Sequence, residues 1–104
     1  MDFDDSQLKA KFVAYYKAEY VESEVESPSQ LCAIEKMWDY LDETTKKFMY
    51  ESLITGKAKD EKAVSENAEY LTKEFGMSVH QLMGYTGAKL SEANSTALLH
   101  CQKL

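Results

Sequence analysis

Residues 27–41 have the sequence SPSQLCAIEKMWDYL, and this stretch decides the fold class. Ser27 can cap a helix, Pro28 suits its first turn, and Gln30 completes an S-x-x-Q capping box. The apolar residues that follow recur every three or four positions, as on one face of an α-helix: Leu31, Ile34, Met37, Trp38 and Leu41. The stretch therefore predicts a capped amphipathic helix with a buried face.

The same spacing elsewhere in the chain predicts an all-α fold. A long helix is expected over 5–26, and a further helix after a short break over 42–45. Another helix should run from Asp60 without interruption to Gly76, where a glycine can adopt the left-handed conformation that ends a helix. Four Gly and one Pro provide little of the turn-rich sequence of a β-sandwich. We expect a compact single-domain bundle of five to six helices over residues 1–104.

Residues 68–85 have the sequence AEYLTKEFGMSVHQLMGY. A helix that ends at Gly76 is followed by a second helix that Ser78 can cap. This pattern, in a junction near residues 61–86, resembles the helix-turn-helix of DNA-binding proteins. In that motif, polar side chains of the second helix contact base edges while basic residues hold phosphates. The resemblance implies DNA contact by four residues: Ser78, His80, Gln81 and Lys89.

Two glycines weaken the second helix of this motif. Gly84 and Gly87 each cost about 1 kcal/mol relative to alanine inside a helix. We therefore expect a short helix that ends near Tyr85, and a separate last helix that begins near Leu90.

Excess negative charge is confined to the first half of the chain. The net charge is −6; residues 1–56 hold twelve acids and six lysines, whereas residues 57–104 hold six of each. The chain has no arginine, the residue best suited to bidentate contact with guanine and phosphate. DNA binding is therefore the alternative interpretation of residues 61–104. Binding to another protein through the acidic helices over 5–55 is the preferred one.

The predicted first helix carries acids and tyrosines together. Glu19, Glu22 and Glu26 lie at i, i+3 and i+7, on one helix face. Tyrosine is enriched at protein interfaces because it combines a large apolar ring with a hydroxyl group. A partner with a basic surface, or one that handles nucleic acid, would contact five residues: Tyr16, Glu19, Tyr20, Glu22 and Glu26. The alternative is a solvated acidic face that only maintains solubility.

The sequence contains no recognisable catalytic or cofactor-binding pattern. Cys32, Cys101 and the two histidines lack the paired spacing of zinc sites. The spacings of helical di-iron sites and of phosphate-binding loops are also missing. We therefore expect a non-enzymatic protein without a cofactor, an inhibitor or regulator of the kind that phages and bacteria encode. A homodimer is a further alternative.

The start of the chain and its cysteines predict a cytoplasmic location. Residues 1–7, MDFDDSQ, have neither the positive nor the apolar region of a secretory signal. No apolar run approaches the ~18 residues of a membrane span, so no membrane partner is expected. Cys32 and Cys101 lie in no spaced cluster, which predicts reduced thiols.

Overall fold

The computed structural model describes residues 5–22 and 27–102, except for the side chains of residues 21 and 22. Over these residues it contains no β-strand and confirms the predicted all-α fold. A 3₁₀ helix, Trp38–Tyr40, follows the second of six α-helices. These are α1 (Asp5–Glu22), α2 (Pro28–Met37), α3 (Glu43–Leu53), α4 (Glu61–Glu66), α5 (Ala68–Phe75) and α6 (Val79–Cys101). None of the helices in the described ranges is long and apolar enough to cross a membrane.

The chain divides into two compact units. The first comprises Met1–Leu41 and Leu90–Leu104, and therefore holds α1, α2 and the C-terminal part of α6. The second comprises Asp42–Lys89, with α3, α4, α5 and the N-terminal part of α6. The single domain over 1–104 stays a prediction.

The core of the first unit forms where α1 packs against residues 28–41. The Phe12 and Trp38 rings are fully buried, with centroids 5.2 Å apart. The indole Nε1 of Trp38 donates a hydrogen bond to Asp5 Oδ1 at 3.1 Å, which satisfies the ring's one polar atom. Ser27 Oγ accepts from Gln30 N at 3.4 Å, so the predicted cap of α2 is confirmed.

The prediction of reduced thiols is wrong. Cys32 on α2 and Cys101 in the last turn of α6 form a disulfide. Their separation of 69 residues explains why no local spacing indicated the pair. Disulfides persist mainly in oxidising environments, so the cysteines no longer support a cytoplasmic location, which stays a prediction.

The predicted continuous helix over 60–76 is also wrong, because α4 and α5 are separated at Asn67. Asp60 caps α4 as expected, its Oδ1 accepting from Ala63 N at 2.8 Å. The Asn67 side-chain amide donates to the carbonyl oxygens of Ala63 at 2.9 Å and Lys57 at 3.2 Å. Such side chain-to-backbone bonds compete with continuous helix, and here they favour the break.

The start of α6 matches the prediction, but its length does not. Ser78 and Gln81 form the reciprocal capping box, each side chain accepting from the other's backbone N–H at 3.1 Å. The helix then continues through Gly84 and Gly87 to Cys101, so the expected break near Tyr85 is wrong. Burial along one face stabilises the continuous helix against the cost of two glycines. The fully or nearly buried residues of that face are Leu82, Thr86, Ala93, Ala97 and Cys101.

In the second unit, Asp42 caps α3 and also bonds to α6. Its Oδ1 accepts from Thr45 N at 2.9 Å, and its Oδ2 accepts from the Tyr85 hydroxyl. Burial raises the pKa of the Asp42 carboxyl, but hydrogen bonds from Thr45 and Tyr85 outweigh burial and hold the pKa below its usual value. The ionised carboxylate therefore stabilises the folded second unit.

Tyr85→Phe should destabilise the protein near neutral pH by about 1.5 kcal/mol, because it removes a hydrogen bond to an ionised group. Because the folded-state pKa of Asp42 lies below the unfolded value of about 3.9, the carboxylate stabilises the folded state above that pH. This stabilisation is lost as the pH falls through the folded-state pKa. The difference from wild type should therefore shrink in acid. Urea denaturation at neutral pH and at pH ~3 measures this difference in the free energy of unfolding. Tyr40→Phe, in an exposed ring, is the control; a pH-independent difference would contradict the assignment.

Removing the disulfide with Cys32→Ala and Cys101→Ala should lower the free energy of unfolding by about 4 kcal/mol, the chain-entropy value for a loop of this length. Urea denaturation with and without dithiothreitol measures the loss. The reductant should destabilise wild type and leave the double variant unchanged. Wild type insensitive to reductant, with both thiols shown to be free, would contradict the pairing.

Candidate protein-binding groove

A groove of about 380 Å³ opens in the first unit between α1, α2 and the C-terminal part of α6. Three of the five residues predicted to contact a protein line it. The lining comprises Tyr16, Glu19 and Tyr20 from α1, Gln30, Ile34 and Met37 from α2, and Leu90, Ser91 and Asn94 from α6. The side chain of Glu22 and the whole of Glu26 lie outside the described part of the structure, so their contact stays a prediction.

The buried side of α1 determines which tyrosines reach the groove. Tyr16, Glu19 and Tyr20 lie at i, i+3 and i+4 and therefore share one helix face. Phe12 is buried one turn before Tyr16, and their ring centroids are 4.8 Å apart. Tyr15 lies outside the groove lining and is 45% exposed. Tyr15 and Tyr16 face different directions because neighbouring residues on a helix diverge by about 100°.

The opposite wall is held by a side-chain bond between α2 and α6. Gln30 Nε2 donates to Asn94 Oδ1 at 2.9 Å. Ile34 and Met37, both buried, supply apolar surface on the α2 side. The Cys32 disulfide also joins α2 to the end of α6. The wall is therefore held by a covalent bond as well as by packing, and sequence reasoning indicated none of its residues as part of a site.

Glu19 is the charged member of the groove lining. Among the side chains that the structure describes, none forms an ion pair with it. Burial raises the pKa of the Tyr16 hydroxyl, and the charges of Tyr15 and Glu19 raise it further. At neutral pH the groove therefore presents a neutral phenol beside one carboxylate.

The residues proposed for DNA contact lie in the second unit, at and after the start of α6. Ser78, His80 and Gln81 are exposed, but Ser78 and Gln81 bond to each other's backbone and cap the helix. Lys89 is half-buried, with Nζ 5.6 Å from the centroid of the Tyr85 ring. Of the four, His80 is the residue whose side chain takes part in neither the capping hydrogen bonds nor the contact with the Tyr85 ring. DNA contact stays a prediction.

Within residues 5–22 and 27–102, no group of three or more His, Cys, Asp or Glu side chains could hold a metal ion. Cys32 and Cys101 are bonded to each other and present no thiolate in this state.

No protein-family model, curated protein or solved structure matches this chain.

The DNA-binding alternative can be separated from protein binding by a salt series. We expect the protein to pass through a heparin column at low ionic strength and to leave the anisotropy of a labelled duplex unchanged, because its 18 acids outnumber its 12 lysines and it has no arginine. Duplex binding that weakens steeply with salt and is lost in His80→Ala would establish the alternative. His100→Ala, an exposed histidine of the same helix, is the matched control.

Proposed function

We propose that this chain is a non-enzymatic protein-interaction module that binds a segment of another protein in the groove of the first unit. The observation that supports the proposal is the convergence of Tyr16, Glu19 and Tyr20 on one apolar groove. By binding and covering this segment, the module would inhibit or regulate its partner.

The composition of the groove suits a protein contact. Binding surfaces combine an apolar, aromatic centre with polar groups that orient the partner. Here Ile34 and Met37 supply apolar surface, Tyr16 and Tyr20 supply aromatic rings, and Glu19 supplies the charge. Tyrosine loses few rotamers on binding, so such a surface orders at low entropic cost. The excess negative charge of residues 1–56 would in addition speed encounter with a basic partner.

The groove is large enough for one or two side chains but small compared with a whole interface. Its volume of about 380 Å³ lies at the lower end of the range for ligand pockets. Stable protein interfaces bury about 800 Å² on each partner, far more than the mouth of such a groove. We therefore infer that the groove is the anchor point of a wider contact that extends over the exposed face of α1.

A photoreactive amino acid tests the position of this contact. With p-benzoylphenylalanine replacing Tyr20, irradiation in host lysate should crosslink one dominant protein, whose site of attachment mass spectrometry identifies. The same replacement at Tyr40 should not capture that protein. Tyr40 is in the same unit, is 44% exposed and lies outside the groove lining. Glu19→Lys should then reduce capture at position 20, because it reverses the charge of the groove.

Two results would contradict the proposal. Equal capture of the same protein from positions 20 and 40 would show adhesion that does not depend on the groove. Undiminished capture by a folded Glu19→Lys variant would remove the acidic side of the groove from the contact. Glu69→Lys reverses an exposed acid on α5 and is the control for altered net charge.

A further inference from the structure

The acids of the first unit differ in whether a lysine neutralises them. Lys17 Nζ lies 2.6 Å from Glu35 Oε1, and Lys9 Nζ lies 3.1 Å from Asp39. The hydrogen bond and the charge of Lys17 lower the pKa of Glu35. Glu19 has no such cation among the described side chains, although it lies in the same helix as both lysines. Among the described side chains, Glu19 is the carboxylate that borders the groove, and it is left for an external cation.

The groove lining has the composition needed to hold a cation on an apolar stem. Apart from Glu19, the lining residues are uncharged: they are aromatic, aliphatic, thioether, hydroxyl and amide side chains. A cation near a tyrosine ring is attracted by the negative face of the ring, and Tyr16 and Tyr20 share one helix face with Glu19. Ile34 and Met37 offer apolar surface for methylene groups, the arrangement in which lysine buries its stem and keeps its ammonium group at the edge.

The supply of hydrogen-bond acceptors favours an ammonium group over a guanidinium. Asn94 Oδ1 already accepts from Gln30, which uses one of its two lone pairs. Arginine carries five N–H donors in a planar fork and is best matched by several acceptors, whereas an ammonium group is a compact charge with three donors. With Glu19 as the charged acceptor of the described lining, an ammonium group leaves fewer N–H donors unpaired than a guanidinium does.

From these observations we propose that the groove binds a lysine side chain of the partner protein. Its methylene stem would lie against Ile34 and Met37, and its ammonium group beside Glu19 and the rings of Tyr16 and Tyr20. This inference rests on the proposed function, since it assigns the residue that the partner inserts into the same groove.

Small probes separate the charge from the apolar stem. In a ¹H–¹⁵N NMR titration, n-hexylammonium should shift the backbone amides of groove residues and bind about fivefold more tightly than hexan-1-ol, and hexanoate should bind least. The preference should shrink as salt is added. Glu19→Gln should reduce hexylammonium binding to the level of hexanol and leave hexanol binding unchanged. Glu69→Gln should change neither.

Equal binding of hexylammonium and hexanol, or a preference that survives Glu19→Gln, would overturn the inference. Crosslinking from Tyr20 could still succeed in that case, so the proposed function would stand without the lysine. A pair of peptides tests the source of the cation: Gly-Leu-Lys-Leu-Gly should bind at least fivefold more tightly than the peptide with norleucine at the central position. Binding of hexylammonium without this difference would indicate a free amine and overturn the assignment to a partner protein.

Discussion

Packing of the Phe12 ring against the Trp38 indole is the contact on which the proposed groove depends. Both side chains are fully buried, and the indole N–H is bonded to Asp5. Together these contacts set the rotation of α1 about its own axis. Tyr16, one turn beyond Phe12, then faces the groove, whereas Tyr15 is rotated by about 100° and reaches the exterior. Of the three nearby tyrosines on α1, Tyr16 and Tyr20 thus reach the groove because they continue the side of the helix that Phe12 buries.

The acidic side chains of the first half serve several different purposes, which a net charge does not reveal. Asp42 caps α3, and Glu35 and Asp39 pair with lysines. Glu51 is 1% exposed, and its carboxylate accepts from the Tyr70 hydroxyl at 3.1 Å and from Thr55 Oγ1 at 3.0 Å. A buried carboxylate whose hydrogen bonds are made within the protein stabilises the fold and does not contact a partner. Among the described acids, the charge left without a partner is therefore smaller and more local than the composition indicates, and Glu19 is its clearest representative.

The sequence predictions were correct where the signal joins near neighbours in the chain, and they failed where it depends on residues farther apart. The caps at Ser27, Asp60 and Ser78 were correct because each bond joins residues three positions apart. The break expected over 42–45 is shorter than predicted, since Asp42 caps α3 and the helix begins at Glu43. The break at Asn67 was missed because one of its two carbonyl partners lies ten residues away, in the loop before α4. The prediction missed that α6 continues through Gly84 and Gly87. It considered the low helix propensity of glycine but not the burial of the helix face opposite the two glycines.

The order of residues along the chain was sufficient to determine the all-α class, the capped helix starts and the common face of Tyr16, Glu19 and Tyr20. These properties follow from helical periodicity and from hydrogen bonds between near neighbours. Tertiary structure alone decided that this face borders a groove, that Gln30 meets Asn94, and that Cys32 joins Cys101. Each of those contacts joins residues more than 60 positions apart or requires three helices together, and such contacts depend on packing that periodicity does not specify.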